Sequence, residues 1–287
     1  MKKFLLTTIL SLISFSSMAD EYQDYVTDTI NPAIQNEISA YYPKLSIKVL
    51  YGTTDSHLKA LVKKIEPTVK VFQNHKESSA QFIPNKTGDI CIVNLAKPEE
   101  QPDLYSELYE DETNKMIFDF IAWHEVGHCI QYHNINMAGG ITSEHKLFAY
   151  RAELFADLYG YTKVIQTYGP DGEGVADIMN DVRSVYMLFT DYEHSTNISY
   201  PNYKEAIRKL ANNNSNKFKA IQELIHDIEP DERYISGVWK FVAQQKKKHK
   251  IKLNSFEREL LKDKSIKPIF TKLDGFILKE YKSILKP

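Results

Sequence analysis

Residues 124–128 read His124-Glu125-Val126-Gly127-His128, and this short run constrains the fold more than any other part of the chain. Positions i and i+4 lie one above the other on a helix. Two imidazoles at that spacing can share one metal ion only if the segment is helical. The residues before it, Met116-Ile117-Phe118-Asp119-Phe120-Ile121-Ala122-Trp123, are strongly apolar. They predict a helix over about 112–134 that is buried in the centre of a domain. Polar His and Glu on such a helix need a partner that offsets their desolvation.

Zinc is the partner this spacing suits. A catalytic zinc usually takes three protein ligands, imidazole or carboxylate among them, and keeps one open position. His124 and His128 supply two ligands. Glu125, one residue along, is placed to act as general base toward a water at that open position. The third ligand must come from elsewhere. One known solution continues the same helix as HExxHxxGxxH. It needs glycine at position 131 and histidine at 134, where Gln131 and Asn134 stand, and His133 is off by one. The other solution is a carboxylate on a second helix. Tyr150-Arg151-Ala152-Glu153-Leu154-Phe155-Ala156-Asp157-Leu158-Tyr159-Gly160 reads as such a helix. Glu153 and Asp157 are again i and i+4, while Leu154, Phe155 and Leu158 cover another face. Glu153 is expected as third ligand. Asp157 is expected to accept a hydrogen bond from the outer nitrogen of a ligand His, which fixes the tautomer and raises basicity.

Over roughly residues 112–165 the chain resembles the gluzincins, zinc metallopeptidases with HExxH followed by ExxxD on a later helix. Its local form, HEVGHCIQYH then RAELFADLYG, is most similar to the CAAX-prenyl-protease type, where Ala precedes the Asp and Gly follows. The resemblance implies one zinc per chain on His124, His128 and Glu153, with Glu125 as general base and Asp157 behind a ligand. It implies a zincin-like α+β fold: a small N-terminal mixed sheet, a central active-site helix pair and a mostly helical C-terminal part. The resembled family often carries a His-Pro pair with a later Arg to help stabilise the oxyanion. This chain departs from that with Tyr200-Pro201, His194 six residues earlier and Arg208 further on. The expected donor is His194 first, then Tyr200, then Arg208.

Two cysteines occur, Cys91 and Cys129. Cys91 lies in Asp89-Ile90-Cys91-Ile92-Val93-Asn94-Leu95, which reads as a strand, and Cys129 directly follows His128. In zincin folds a sheet packs over the active-site helix, so the resemblance makes a disulfide between them feasible. The other reading is two buried thiols, since free Cys is a common core residue.

Lys2-Lys3, the apolar run from Phe4 to Phe15, and Ser17-Met18-Ala19 form the pattern of a secretory signal peptide over residues 1–19. The rival reading is an uncleaved anchor, but the run is too short for a stable span, and no other run reaches about 18 apolar residues. The expected mature chain starts at Asp20 and is exported, to a bacterial periplasm or the medium, with no integral membrane segment. This departs from the membrane-embedded members of the resembled family, so their lipid-modified substrates are not carried over.

With 287 residues and 43% hydrophobic content, one catalytic domain or one with a small subdomain is expected. Residues 20–96 read as an N-terminal α/β part, either an upper subdomain or a pro-segment. Strands are expected over 45–51, near Val69-Lys70-Val71-Phe72 and over 89–95, with a helix from Thr53 to Ile65. Residues 97–287 read as the zinc-binding helical part. It opens on an acidic stretch over 97–112 that suits a helix N-terminus. Gly139-Gly140 leads to the Glu153 helix, about 145–168, and Gly169-Pro170-Asp171-Gly172 breaks the chain. Further helices are expected over about 174–191, 202–213, 215–228, 232–249 and 255–284. The formal net charge of −2 points away from nucleic acid. The expected function is an exported zinc metallopeptidase acting on protein or peptide substrates. Two alternatives stay open: a zinc-binding non-catalytic protein on the same scaffold, and a zinc hydrolase acting on a non-peptide amide or cell-wall substrate.

Overall fold

The computed structural model describes residues 21–71, 78–97, 111–137, 147–188, 192–213, 216–228 and 232–248. The signal segment, the acidic stretch over 98–110, the Gly139-Gly140 connection and the helix expected over 255–284 lie outside the described residues. The described residues form a mostly helical α+β structure of eight α-helices and a three-stranded mixed sheet. The chain divides into two compact units, Met1–Glu100 and Gln101–Pro287.

In the first unit a π-helical turn, Val26–Ile30, runs into α1, Asn31–Tyr41. Ile30, Ile34 and Ile38 recur every fourth residue and make its buried stripe. Strand β1, Leu45–Tyr51, alternates as expected of a half-buried strand, burying Leu45, Ile47, Val49 and Tyr51. Helix α2 is Asp55–Ile65, β2 is Ser79–Ile83 and β3 is Asp89–Leu95. The sheet order is β1-β3-β2, with β1 parallel and β2 antiparallel to β3. The register pairs Leu45 with Asp89 and Phe82 with Cys91. As the central strand, β3 is buried on both faces, so its apolar run is nearly continuous. Leu58, Val62, Ile83 and Ile92 form a cluster between α2 and the sheet, and burying each contributes about 1.5–3 kcal/mol.

One strand expectation is corrected. Val69 to Val71 form no strand; the third strand is Ser79–Ile83. The backbone after α2 is spent on a turn instead: Val69 N–H donates to Glu66 O at 3.4 Å, and Lys63 Nζ donates to the Val69 carbonyl at 2.6 Å.

The second unit begins with α3, Asp111–Met137, followed by α4, Phe148–Tyr168, and α5, Pro170–Leu188. A 3-10 turn, Thr196–Ile198, leads into α6, Tyr200–Ala211, then α7, Lys217–Asp227, and α8, Glu232–Lys248. Helix α4 is buried on all sides from Leu154 to Ile165, as a helix packed on several neighbours must be. It lies against α3, α5, α6 and α7. Two of its buried polar side chains are matched locally: Thr162 Oγ1 donates to Leu158 O at 2.7 Å, and Lys163 Nζ lies 4.4 Å from the centre of the Trp123 ring.

Small residues bring α3 and α4 close together. A Cβ at Gly127 would lie 3.1 Å from Ala156 Cα, and one at Gly160 only 2.8 Å from the Phe120 ring. The break expected at 169–172 is tighter than foreseen. Gly169, at φ +59°, ends α4, and Pro170 opens α5 at once, its missing N–H costing nothing in a first turn. Among the described residues no helix is long and apolar enough to cross a membrane. Neither cysteine is free: Cys91 and Cys129 are both disulfide-bonded.

Candidate metal centre

Helix α3 contributes His124 and His128, and α4 contributes Glu153 and Asp157. Because α3 is a continuous helix, the two imidazoles rise from one face. Their Nε2 atoms are 3.1 Å apart, with ring planes at 88°. Glu153 Oε2 lies 3.4 Å from His124 Nε2, and its Oε1 lies 3.4 Å from His128 Nε2. At that length these are ion-pair contacts rather than well-formed hydrogen bonds, and Glu153 Oε2 is buried without a hydrogen-bond partner. One ligand atom from each of the three residues lies within 4.8 Å of the others, so the group could hold a metal ion.

Its chemistry fits a cation. His124 Nδ1 is 2.8 Å from Asp157 Oδ1. An ionised carboxylate only accepts, so Nδ1 carries the hydrogen and the Nε2 lone pair of the neutral ring points at His128. Two Nε2 atoms at this distance need either a hydrogen on one of them, donated to the other, or a metal ion that both face. The site's own charges favour positive charge here. Burial opposes protonation of His124, but Asp157 and Glu153 outweigh it and push the imidazole up to about 10. Burial likewise works against the Glu153 carboxylate, yet His128 and His124 hold it well below the usual carboxylate range.

Asp157 is fully buried and fully used. Its Oδ1 accepts from His124 Nδ1 and from Arg183 Nη2 at 2.5 Å. Its Oδ2 accepts from Arg183 Nε at 2.9 Å and Thr196 Oγ1 at 2.5 Å. Burial alone would raise its pKa, but the Arg183 guanidinium and His124 bring it to about 2. With four donors on about four lone-pair sites, Asp157 orients His124 and has nothing left for a metal. Arg183, on α5, also stands 4.0 Å from Glu153 Oε2. Neither Arg183 nor Thr196 was among the residues expected from sequence. Arg183 carried a signal, being a lone cation beside apolar Val182 on an otherwise amphipathic helix, where a buried guanidinium requires a carboxylate.

Glu125 is buried on α3 at 8% exposure. One turn beyond His128, Tyr132 is 40% exposed. Burial, then the Glu153 and Glu125 carboxylates, raise its hydroxyl, so both carboxylates lie within electrostatic reach of one phenol. His194, on the turn before the 3-10 helix, brings Nε2 to 3.5 Å from Glu153 Oε2 with its side chain 37% exposed.

The other two expected donors are committed elsewhere. Tyr200 is buried, its ring edge-on to Tyr161 at 4.9 Å and its hydroxyl 3.4 Å from Asp177. It starts α6, with Pro201 fixing the first turn, and that packing replaces the role expected of it at the metal group. Arg208 pairs with Glu173 through Nε at 2.8 Å and Nη2 at 2.7 Å, a two-pronged bridge between α6 and α5. The structure therefore gathers His124, His128, Glu153, Asp157 and His194, and does not bring Tyr200 or Arg208 to them. No family model matches the chain, and no curated protein or solved structure matches it either.

Proposed function

We propose that the chain is an exported zinc metallopeptidase of gluzincin type that hydrolyses protein or peptide substrates, with one zinc on His124, His128 and Glu153. The observation that carries this reading is the convergence of two imidazoles and one carboxylate from adjacent helices, beside a buried Glu125 that is not part of the cluster. Three protein donors, two nitrogens and one oxygen, are the set of catalytic zinc sites, whereas structural sites take four. A protein that merely stores metal has no use for a further buried carboxylate next to its ligands. Disulfide-bonded cysteines support an oxidising compartment, in keeping with the signal pattern at residues 1–19.

Zinc bound there supplies Lewis acidity and makes a water nucleophilic near neutral pH. Glu125 takes the proton of the attacking water and returns it to the leaving amine. His194, part-exposed beside Glu153, donates a hydrogen bond to the oxygen on which negative charge develops. Asp157 fixes the tautomer of His124, and Arg183 keeps Asp157 ionised.

The test is Glu125→Gln beside the wild type on a mixed peptide library. The variant is expected to keep its zinc and lose hydrolysis by a factor of at least about 10² to 10⁴. Undiminished cleavage by the variant would remove Glu125 from the mechanism. Zinc without cleavage by the wild type would favour the non-catalytic or non-peptide alternatives.

A further inference from the structure

The turn that presents His194 is held from a second direction, by α8. Trp239 reaches it through three contacts, in one of which its backbone carbonyl accepts from the Tyr192 hydroxyl at 3.4 Å. Its indole Nε1–H donates to Ser195 Oγ at 2.9 Å, and its ring stacks on Tyr192 at 5.1 Å between centroids and 22° between planes. Ser195 Oγ donates onward to the Tyr192 carbonyl at 2.7 Å, so the hydroxyl that receives the indole hydrogen also closes the turn on itself. Tyr150 of α4 packs edge-on to the same indole at 5.7 Å and 71°. On the far side of the turn, Thr196 is tied to Asp157.

His194 lies between the two residues that Trp239 grips. A part-exposed ring on a turn takes its position from the backbone beneath it. That backbone is set by Trp239 on one side and by Asp157 on the other. A merely apolar residue at position 239 would fill the space. The indole hydrogen, aimed at the one hydroxyl that closes the turn, indicates a more specific task.

We propose that Trp239 is the positioning residue for His194: it sets the Tyr192–Ser195 turn so that the imidazole stands against the metal group before substrate arrives. The proposal rests on the role given to His194 above, but the placement itself is a property of the resting protein. Preorganisation of this kind removes from the reaction the cost of finding the geometry, and a misplacement of about 1 Å can lower a rate by roughly 10².

The experiment uses the full chain loaded with Co²⁺ and proton NMR of the paramagnetically shifted imidazole signals. The His194 signals are identified by their loss in His194→Ala. In Trp239→Leu they are expected to move or broaden while those of His124 and His128 stay, with Trp239→Phe, which keeps the stack and loses the donor, intermediate. On peptide substrate, Trp239→Leu is expected to lower kcat about tenfold or more at unchanged metal content, and to have no further effect in the His194→Ala background. Unmoved His194 signals, or an equal loss of kcat in that background, would overturn the proposal. If the wild type cleaves no peptide but its His194 signals respond to Trp239→Leu, the placement stands and the peptidase reading falls. Should Trp239→Leu not fold, Ser195→Ala removes the acceptor of the same hydrogen bond and is read the same way.

Discussion

Asp157 shows how a single carboxylate organises the centre. It sits on α4, takes its donors from three other segments and is itself no ligand. Replacing it with Asn keeps the shape, removes the charge and aims an amide N–H at His124 or Arg183. Asp157→Asn is expected to weaken zinc binding about 10- to 100-fold. It also takes from the buried Arg183 guanidinium its closest counter-charge, leaving Glu153 at 4.0 Å, and breaking such a pair costs up to about 3–5 kcal/mol of stability. Thermal melting and a competitive zinc titration measure the two effects, and an unchanged zinc affinity would separate Asp157 from the metal group. Arg183→Lys is not a mild change here, because a single ammonium cannot serve both carboxylate oxygens as the planar fork does. It is expected to lower the melting temperature in the metal-free protein as well as in the loaded one.

At the scale of elements, the centre depends on how closely α3 and α4 approach. Gly160→Ala places a Cβ 2.8 Å from Phe120 Cε2 and 3.1 Å from the Phe120 carbonyl. Backbone cannot yield as a flexible side chain can, so the helices must part, at an expected cost of about 1–3 kcal/mol. The distance from His124 to Glu153 widens with them, and zinc affinity should fall. Gly174→Ala is the matched control, on an exposed position of α5 with nothing within 4 Å of the new carbon. It should stabilise by about 0.4–1 kcal/mol through the unfolded state. Equal melting temperatures for the two variants would contradict the close-approach argument.

The same elements show what a sequence can and cannot disclose. His124, His128, Glu153 and Asp157 were legible because each pair is spaced by four along one helix, a local rule that needs no knowledge of packing. Strands β1 and β3 were legible from alternation and from a dense apolar run. Strand β2 was not: Ser79-Ala80-Gln81-Phe82-Ile83 is short and mixed, and it is a strand because β3 offers it a ladder. Arg183 and Thr196 meet Asp157 across 26 and 39 residues, and that encounter is decided by the fold of α5 against α4. Tyr200 was misplaced for the converse reason. Its place before Pro201, where the resembled family often carries a His-Pro pair, suggested a donor, whereas the 3-10 turn before it delivers it to the contact between α6 and α5.

For the whole molecule, every residue of the proposed centre lies in the second unit, Gln101–Pro287. Metal binding to the folded state alone must stabilise that state by mass action. At free zinc about 100 times the dissociation constant, the gain is about 2.7 kcal/mol. The melting temperature of the chelator-treated chain should therefore rise with added zinc, and that of Glu153→Ala should not. The most direct measurement is the zinc content of the purified wild-type chain beside Glu153→Ala after dialysis against limiting zinc. One zinc per chain in the wild type and none retained by the variant is the result expected here. A correctly folded wild type that holds no zinc, or a variant that holds as much, would contradict the assignment of this centre.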